Sequence, residues 1–96
     1  MVHYEGVFII DADASADVSK GVVAQLQDFV AKTGGRVDGL QEWGKKRLAY
    51  KINKKNDGNY VLLNYQMDSA HAGKFEQMIR LNDNVIRFLI INKDND

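Results

Sequence analysis

The sequence predicts an α+β domain: a four-stranded antiparallel sheet with two helices on one of its faces. Three observations carry this expectation. Two stretches have helical period, four stretches are rich in aromatic and β-branched residues without it, and the two kinds alternate as strand, helix, strand, strand, helix, strand. With 96 residues the chain has room for one core, so 1–96 reads as a single domain with a short polar tail at 92–96.

Each element has its own reason. His3 to Ile10 is a strand by composition, bounded by Asp11, Asp13 and Ser15. Val18, Val22, Leu26, Phe29 and Val30 then recur on one side of a helical wheel, with Ser15 or Asp13 as the cap and Gly34-Gly35 as the stop. Arg36 to Ile52 has no helical period. It reads as a long, bent strand with bulge or twist points at Gly39 and Gly44. A polar turn is expected over Asn53 to Gly58. From Tyr60 to Met67 the period is two, with Val61, Leu63, Tyr65 and Met67 on one side and Asn64 and Gln66 on the other. Asp68 or Ser69 caps a second helix carrying Phe75, Met78, Ile79 and Asn82, and Val85 to Ile91 is the last strand. Two split strand-helix-strand halves in this order form a ferredoxin-like βαββαβ plait.

Composition narrows the chemistry. Apolar residues make up 45% and charged residues 27%, as in an ordinary folded domain. There is no cysteine, which excludes disulfides, thiolate metal sites and cysteine nucleophiles. Apolar runs such as Val7 to Ile10 fall far short of the roughly 20 residues a membrane span needs, so no membrane partner and a cytoplasmic address are expected. His3 and His71 lie on different elements without the carboxylate spacing of a metal site, and there is no glycine-rich phosphate cradle. No cofactor, metal, small-molecule substrate or enzymatic activity is expected.

Charge is locally uneven although the 13 basic and 13 acidic residues cancel. Lys45, Lys46, Arg47, Lys51, Lys54 and Lys55 fall in a stretch without one acidic residue, and Trp43, Tyr50 and Tyr60 lie close enough in sequence to supply stacking faces. On the end of a hairpin this combination suits a nucleic-acid contact arm; its plain alternative is a solvated hairpin whose charges prevent edge aggregation. The sheet-face stacking of the RNA-recognition motif is not expected, because Gly58-Asn59-Tyr60-Val61-Leu62 has Asn where that motif has its first aromatic. If Tyr4, Phe8 and Ile10 point at the helices, then Glu5, Val7, Ile9, Tyr60, Leu62, Leu89 and Ile91 share the uncovered face with Arg87. An apolar patch there marks a partner surface.

Gly44-Lys45-Lys46-Arg47-Leu48-Ala49-Tyr50-Lys51-Ile52-Asn53 resembles the signature of the bacterial small-subunit ribosomal protein six family. Tyr4-Glu5, Gly34-Gly35-Arg36-Val37, Trp43-Gly44, Gly58 with Tyr60, and Leu81-Asn82-Asp83-Asn84-Val85-Ile86-Arg87 fall where that family has them, so the resemblance spans nearly the whole chain. Lys51 departs from it, standing where many members have Pro. The resemblance implies a structural protein of the platform of the small ribosomal subunit, of bacterial or organellar type. It implies binding to small-subunit ribosomal RNA together with small-subunit ribosomal protein eighteen. It also implies that Tyr4, Arg47, Tyr50 and Arg87, with Lys45 and Lys46 beside them, serve the RNA and partner surface. A free-standing module that self-associates through its open sheet face is the alternative.

Overall fold

The structure is a computed structural model that describes the backbone of residues 1–52 and 55–94 and the side chains of 1–46 and 57–94. Its elements are β1 (Val2–Asp11), α1 (Ala16–Lys32), β2 (Arg36–Ile52), β3 (Lys55–Met67), α2 (Ala72–Arg80) and β4 (Val85–Asn92), with one 3₁₀ turn at Ser69–His71 leading into α2. The strands form one antiparallel sheet in the order β2-β3-β1-β4, the ferredoxin-like plait expected from the sequence.

Helix α1 starts where Ser15 Oγ accepts a hydrogen bond from the Val18 N–H at 3.2 Å, satisfying one of the free donors of the first turn. Asp17 in its first turn and Lys32 in its last complement the helix dipole. Val22, Val23, Leu26 and Val30 are buried on its inner side. At its exit a glycine is required. A Cβ on Gly35 would lie 2.3 Å from the Gln66 carbonyl oxygen, so the chain leaving the helix passes directly against the backbone of β3.

The core lies between the helices and one face of the sheet. Phe8, Leu63, Tyr65, Met67 and Phe75 are almost wholly buried there, joined by Tyr4, Ile10, Val61 and Ile79. Phe75, from α2, packs edge-on against Phe8 and Tyr65 and at a tilt against Phe29 of α1, with centroids 5.1 to 6.4 Å apart, so one ring ties both helices to the sheet. The second helix is more segmented than its stripe suggests: Asp68 caps the 3₁₀ turn, α2 itself ends at Arg80, and Asn82 lies beyond it, donating to Gln25 of α1 at 2.9 Å.

The hairpin between β2 and β3 is longer than expected. Ile52 pairs with Lys55 and Arg47 with Asp57, so most of the stretch expected as a polar turn is strand; Asn53 and Lys54 lie outside the described residues. On the β2 side the alternating Leu48, Tyr50 and Ile52 mark the strand in the sequence, but Lys55 to Gly58 is polar throughout and carries no period, while the ladder needs only backbone groups. Two of the three register shifts between β2 and β3 fall at Gly39 and Gly44, the expected bulge points, and the third falls between Arg47 and Ile52.

Candidate functional site

Residues directly opposite one another on neighbouring strands share a face, so the register maps the side of the sheet that the helices leave uncovered. One row is Gln41, Leu62, Val7 and Leu89; the next toward the hairpin is Gly44, Tyr60, Ile9 and Arg87; the next in the other direction is Gly39, Asn64, Glu5 and Ile91. The seven residues expected to share this face are thus brought together. Their depth differs from expectation. Leu62 is only 8% exposed and Ile9 9%, whereas Leu89 is 60% exposed and Ile91 45%. The cause is position in the sheet. Strands β3 and β1 are flanked on both sides, so their open-face side chains are covered laterally, while β4 is an edge.

At the hairpin end the patch becomes aromatic and cationic. Gly44 has φ +77°, and the bulge it forms sets Trp43 and Gly44 together opposite Tyr60. The Trp43 and Tyr60 rings lie nearly parallel, 16° apart, with centroids separated by 6.4 Å. Trp43 Nε1 donates to Gln41 Oε1 at 3.0 Å, which fixes the indole, and Lys46 Nζ sits 5.1 Å from its centroid. Lys45 and Lys46 are both exposed. Arg87 is exposed on β4, three strands from Lys45 and Lys46, opposite Ile9. Lys54 lies outside the described residues, as do the side chains of Arg47, Tyr50, Lys51 and Lys55.

The opposite end of this face is a network of carboxylates. Asp38 accepts from the Gln66 amide at 2.9 Å and from Arg36 Nε at 2.8 Å, and these bonds, the Gln66 one foremost, hold its carboxyl below the usual range. The backbone N–H of His3 donates to Asp94 at 2.9 Å, with the His3 ring 3.2 Å from the same carboxylate. These bonds, the backbone one first, hold Asp94 low as well. A backbone bond from Lys93 N–H to the His3 carbonyl, at 2.9 Å, completes the tie between the first and last strands.

Tyr4 stands apart from both ends. Its ring is 7% exposed on the helix face, stacked on Tyr65 with centroids 5.4 Å apart. Burial pushes its phenol pKa up, and Asp68, Asp94 and Glu76 add to the shift. It therefore shares no surface with the basic stretch; the resemblance identifies the position but cannot supply its depth. Trp43 is the residue whose place sequence reasoning misses. The sequence puts it on the hairpin arm, and the bulge at Gly44 turns it onto the sheet face instead.

Among the described residues no cluster of His, Asp or Glu is arranged to hold a metal ion, and no helix is long and apolar enough to cross a membrane.

Comparison with known proteins agrees with this geometry. A family model described as Ribosomal protein S6 matches residues 3–92. A relative named small ribosomal subunit protein bS6, from Thermoanaerobacter pseudethanolicus, is 37% identical over 98% of this chain and 99% of its own length. Its namesake from Moorella thermoacetica is 38% identical over 94% of this chain and 92% of its own. The crystal structure of 30S ribosomal protein S6 from Thermotoga maritima superposes with a TM-score of 0.92, at 22% identity, over 98% of this chain and 89% of that one, confirming the fold. The chain belongs to the ribosomal protein S6 family.

Proposed function

We propose that this chain is a structural component of the small ribosomal subunit that binds small-subunit ribosomal RNA together with small-subunit ribosomal protein eighteen. In this reading the aliphatic part of the open face, with Glu5, Val7, Ile9, Leu62, Leu89 and Ile91, meets the partner protein. The hairpin end, with Lys45, Lys46, Arg47, Tyr50, Lys51, Lys54, Lys55 and Arg87, meets RNA, and Tyr60 lies where the two regions join. The observation that carries this reading is that one uncovered face joins an apolar patch to an aromatic and cationic corner. A chain of zero net charge neutralises few phosphates alone, so a partner that brings further cations is needed for tight binding.

Sedimentation of the endogenous protein tests the assembly, and a gel shift on platform RNA tests its order. Co-migration with small subunits, and a shift that needs the partner protein at physiological salt, are the expected results. A free soluble dimer in the cell lysate, or tight specific binding by the isolated chain, would overturn the reading. Replacing Lys45, Lys46 and Arg47 with Ala should weaken RNA binding and flatten its salt dependence, by about one unit of slope for each phosphate no longer neutralised.

A further inference from the structure

We propose that Trp43 and Tyr60 form a platform on which an unpaired RNA base stacks, with Lys46 placed to take the adjoining phosphate. This rests on the RNA-binding reading above and gives it a specific residue and a preference for single strands. Trp43 is the only tryptophan of the chain and is 44% exposed, a large aromatic surface left open to water. Its one donor is already engaged by Gln41, so the indole has only its faces to offer a partner. Its ring is held within 16° of the Tyr60 plane by the bulge at Gly44, which is the preorganisation a stacking surface needs.

The charge around the platform selects the partner. Lys46 lies over the indole and Lys45 is next in sequence, while Glu42, opposite Val61, lies on the helix side of the sheet. No carboxylate occurs in the row of Gly44, Tyr60, Ile9 and Arg87; Asp11 falls one row further out, opposite Gly58, and there accepts from the Asp13 N–H at 3.0 Å. The aliphatic residues Leu89 and Ile91 belong to the other edge, three strand spacings away, roughly 14 Å at about 4.8 Å per strand. A protein partner on Leu89 and Ile91 and an RNA base on Trp43 therefore do not compete for the same area, while Ile9 and Leu62 border the Tyr60 side of the platform. The single-strand aromatic pattern of the RNA-recognition motif is absent because the second ring comes from β2, the strand paired with β3.

The intact chain offers a direct readout, since all indole emission comes from Trp43. At low salt, single-stranded oligoadenylate is expected to quench that emission, and a duplex RNA of equal length is expected not to. In anisotropy with labelled oligoadenylate, Trp43→Leu and Tyr60→Leu should each weaken binding about tenfold or more, with the salt slope unchanged. Trp43→Phe, which keeps a ring, should retain most of the affinity, and it serves as the folded control if Trp43→Leu melts early. Lys46→Ala should instead lower the slope by about one unit. Unchanged affinity in Trp43→Leu and Tyr60→Leu, or equal quenching by duplex, would overturn the platform. In that case a loss of binding in the Lys45, Lys46, Arg47 triple variant would leave the broader RNA reading standing. No RNA binding at any salt, with quenching only on addition of the partner protein, would overturn both and assign the rings to that protein.

Discussion

Leu62 and Leu63 are neighbours in β3, and both are nearly inaccessible, at 8% and 0% exposure. They are buried for different reasons. Leu63 lies beneath the helices among Phe8, Tyr65 and Phe75, inside the core cluster; Leu62 lies on the other face, outside that cluster, covered only by its neighbours in the sheet. Low accessible area therefore describes two situations here. One side chain is enclosed on all sides, and the other is shielded laterally with an open direction above it. A polar group can reach water from the second position and not from the first.

Substitutions can break this comparison. Leu63→Glu places an unpaired carboxylate in a dry core and should leave no folded protein by circular dichroism, while Leu63→Ala should fold with a loss of about 2–5 kcal/mol. Leu62→Glu is expected to fold with a lower melting temperature, at a cost of about 1–3 kcal/mol, because its carboxylate can turn outward. If it unfolds as completely as Leu63→Glu, the two faces are equivalent and the distinction fails.

Leu89 extends the comparison to the sheet edge. It lies in the same row as Leu62 but is 60% exposed, so Leu89→Glu should change stability by no more than about 0.5 kcal/mol. If the open face binds the partner protein, the same change should weaken a pull-down about tenfold, given that full burial of a Leu contributes roughly 1.5–3 kcal/mol. Normal binding by both Leu62→Glu and Leu89→Glu would remove this part of the face from the interface.

The smallest effect is expected at the polar end of that face. Asp38 and Asp94 are held below their unfolded pKa by hydrogen bonds, so their contribution is present above the ordinary carboxylate value, near 4, and is lost as pH falls through their folded values. The Asp38→Asn, Asp94→Asn double variant should therefore lose less melting temperature than the parent between about pH 5 and pH 2. Parallel acid limbs for the two proteins would show that these bonds do not contribute. Both carboxylates are exposed, so the difference should be modest.

The parts of this molecule legible in the sequence are those where a side chain's burial repeats with the period of its element. The alternation from Val61 to Met67 assigns the core face of β3, and the Val22, Leu26 and Val30 stripe assigns the inner side of α1. The length of the hairpin is not legible, because Lys55 to Gly58 is polar throughout and a strand of polar residues alone leaves no period. Nor is the burial of Ile9 and Leu62, which depends on which strands lie beside them and thus on the sheet order. The Trp43–Tyr60 pair requires both a bulge and a register. The candidate site is legible as a set of residues on one face and one hairpin, while its division into an aliphatic edge and an aromatic corner emerges only from the fold.

The sheet order has a consequence for the time at which this protein can exist at all. Strand β1 is central, and its partners are β3 on one side and β4 on the other, with Val7 opposite both Leu62 and Leu89. During synthesis the first strand made is therefore completed by the last. Until β4 has left the exit tunnel, Val7-Phe8-Ile9-Ile10 has an unpaired edge that can recruit chaperones or a neighbouring nascent chain, and closure of β4 along β1 is the event that ends that exposure.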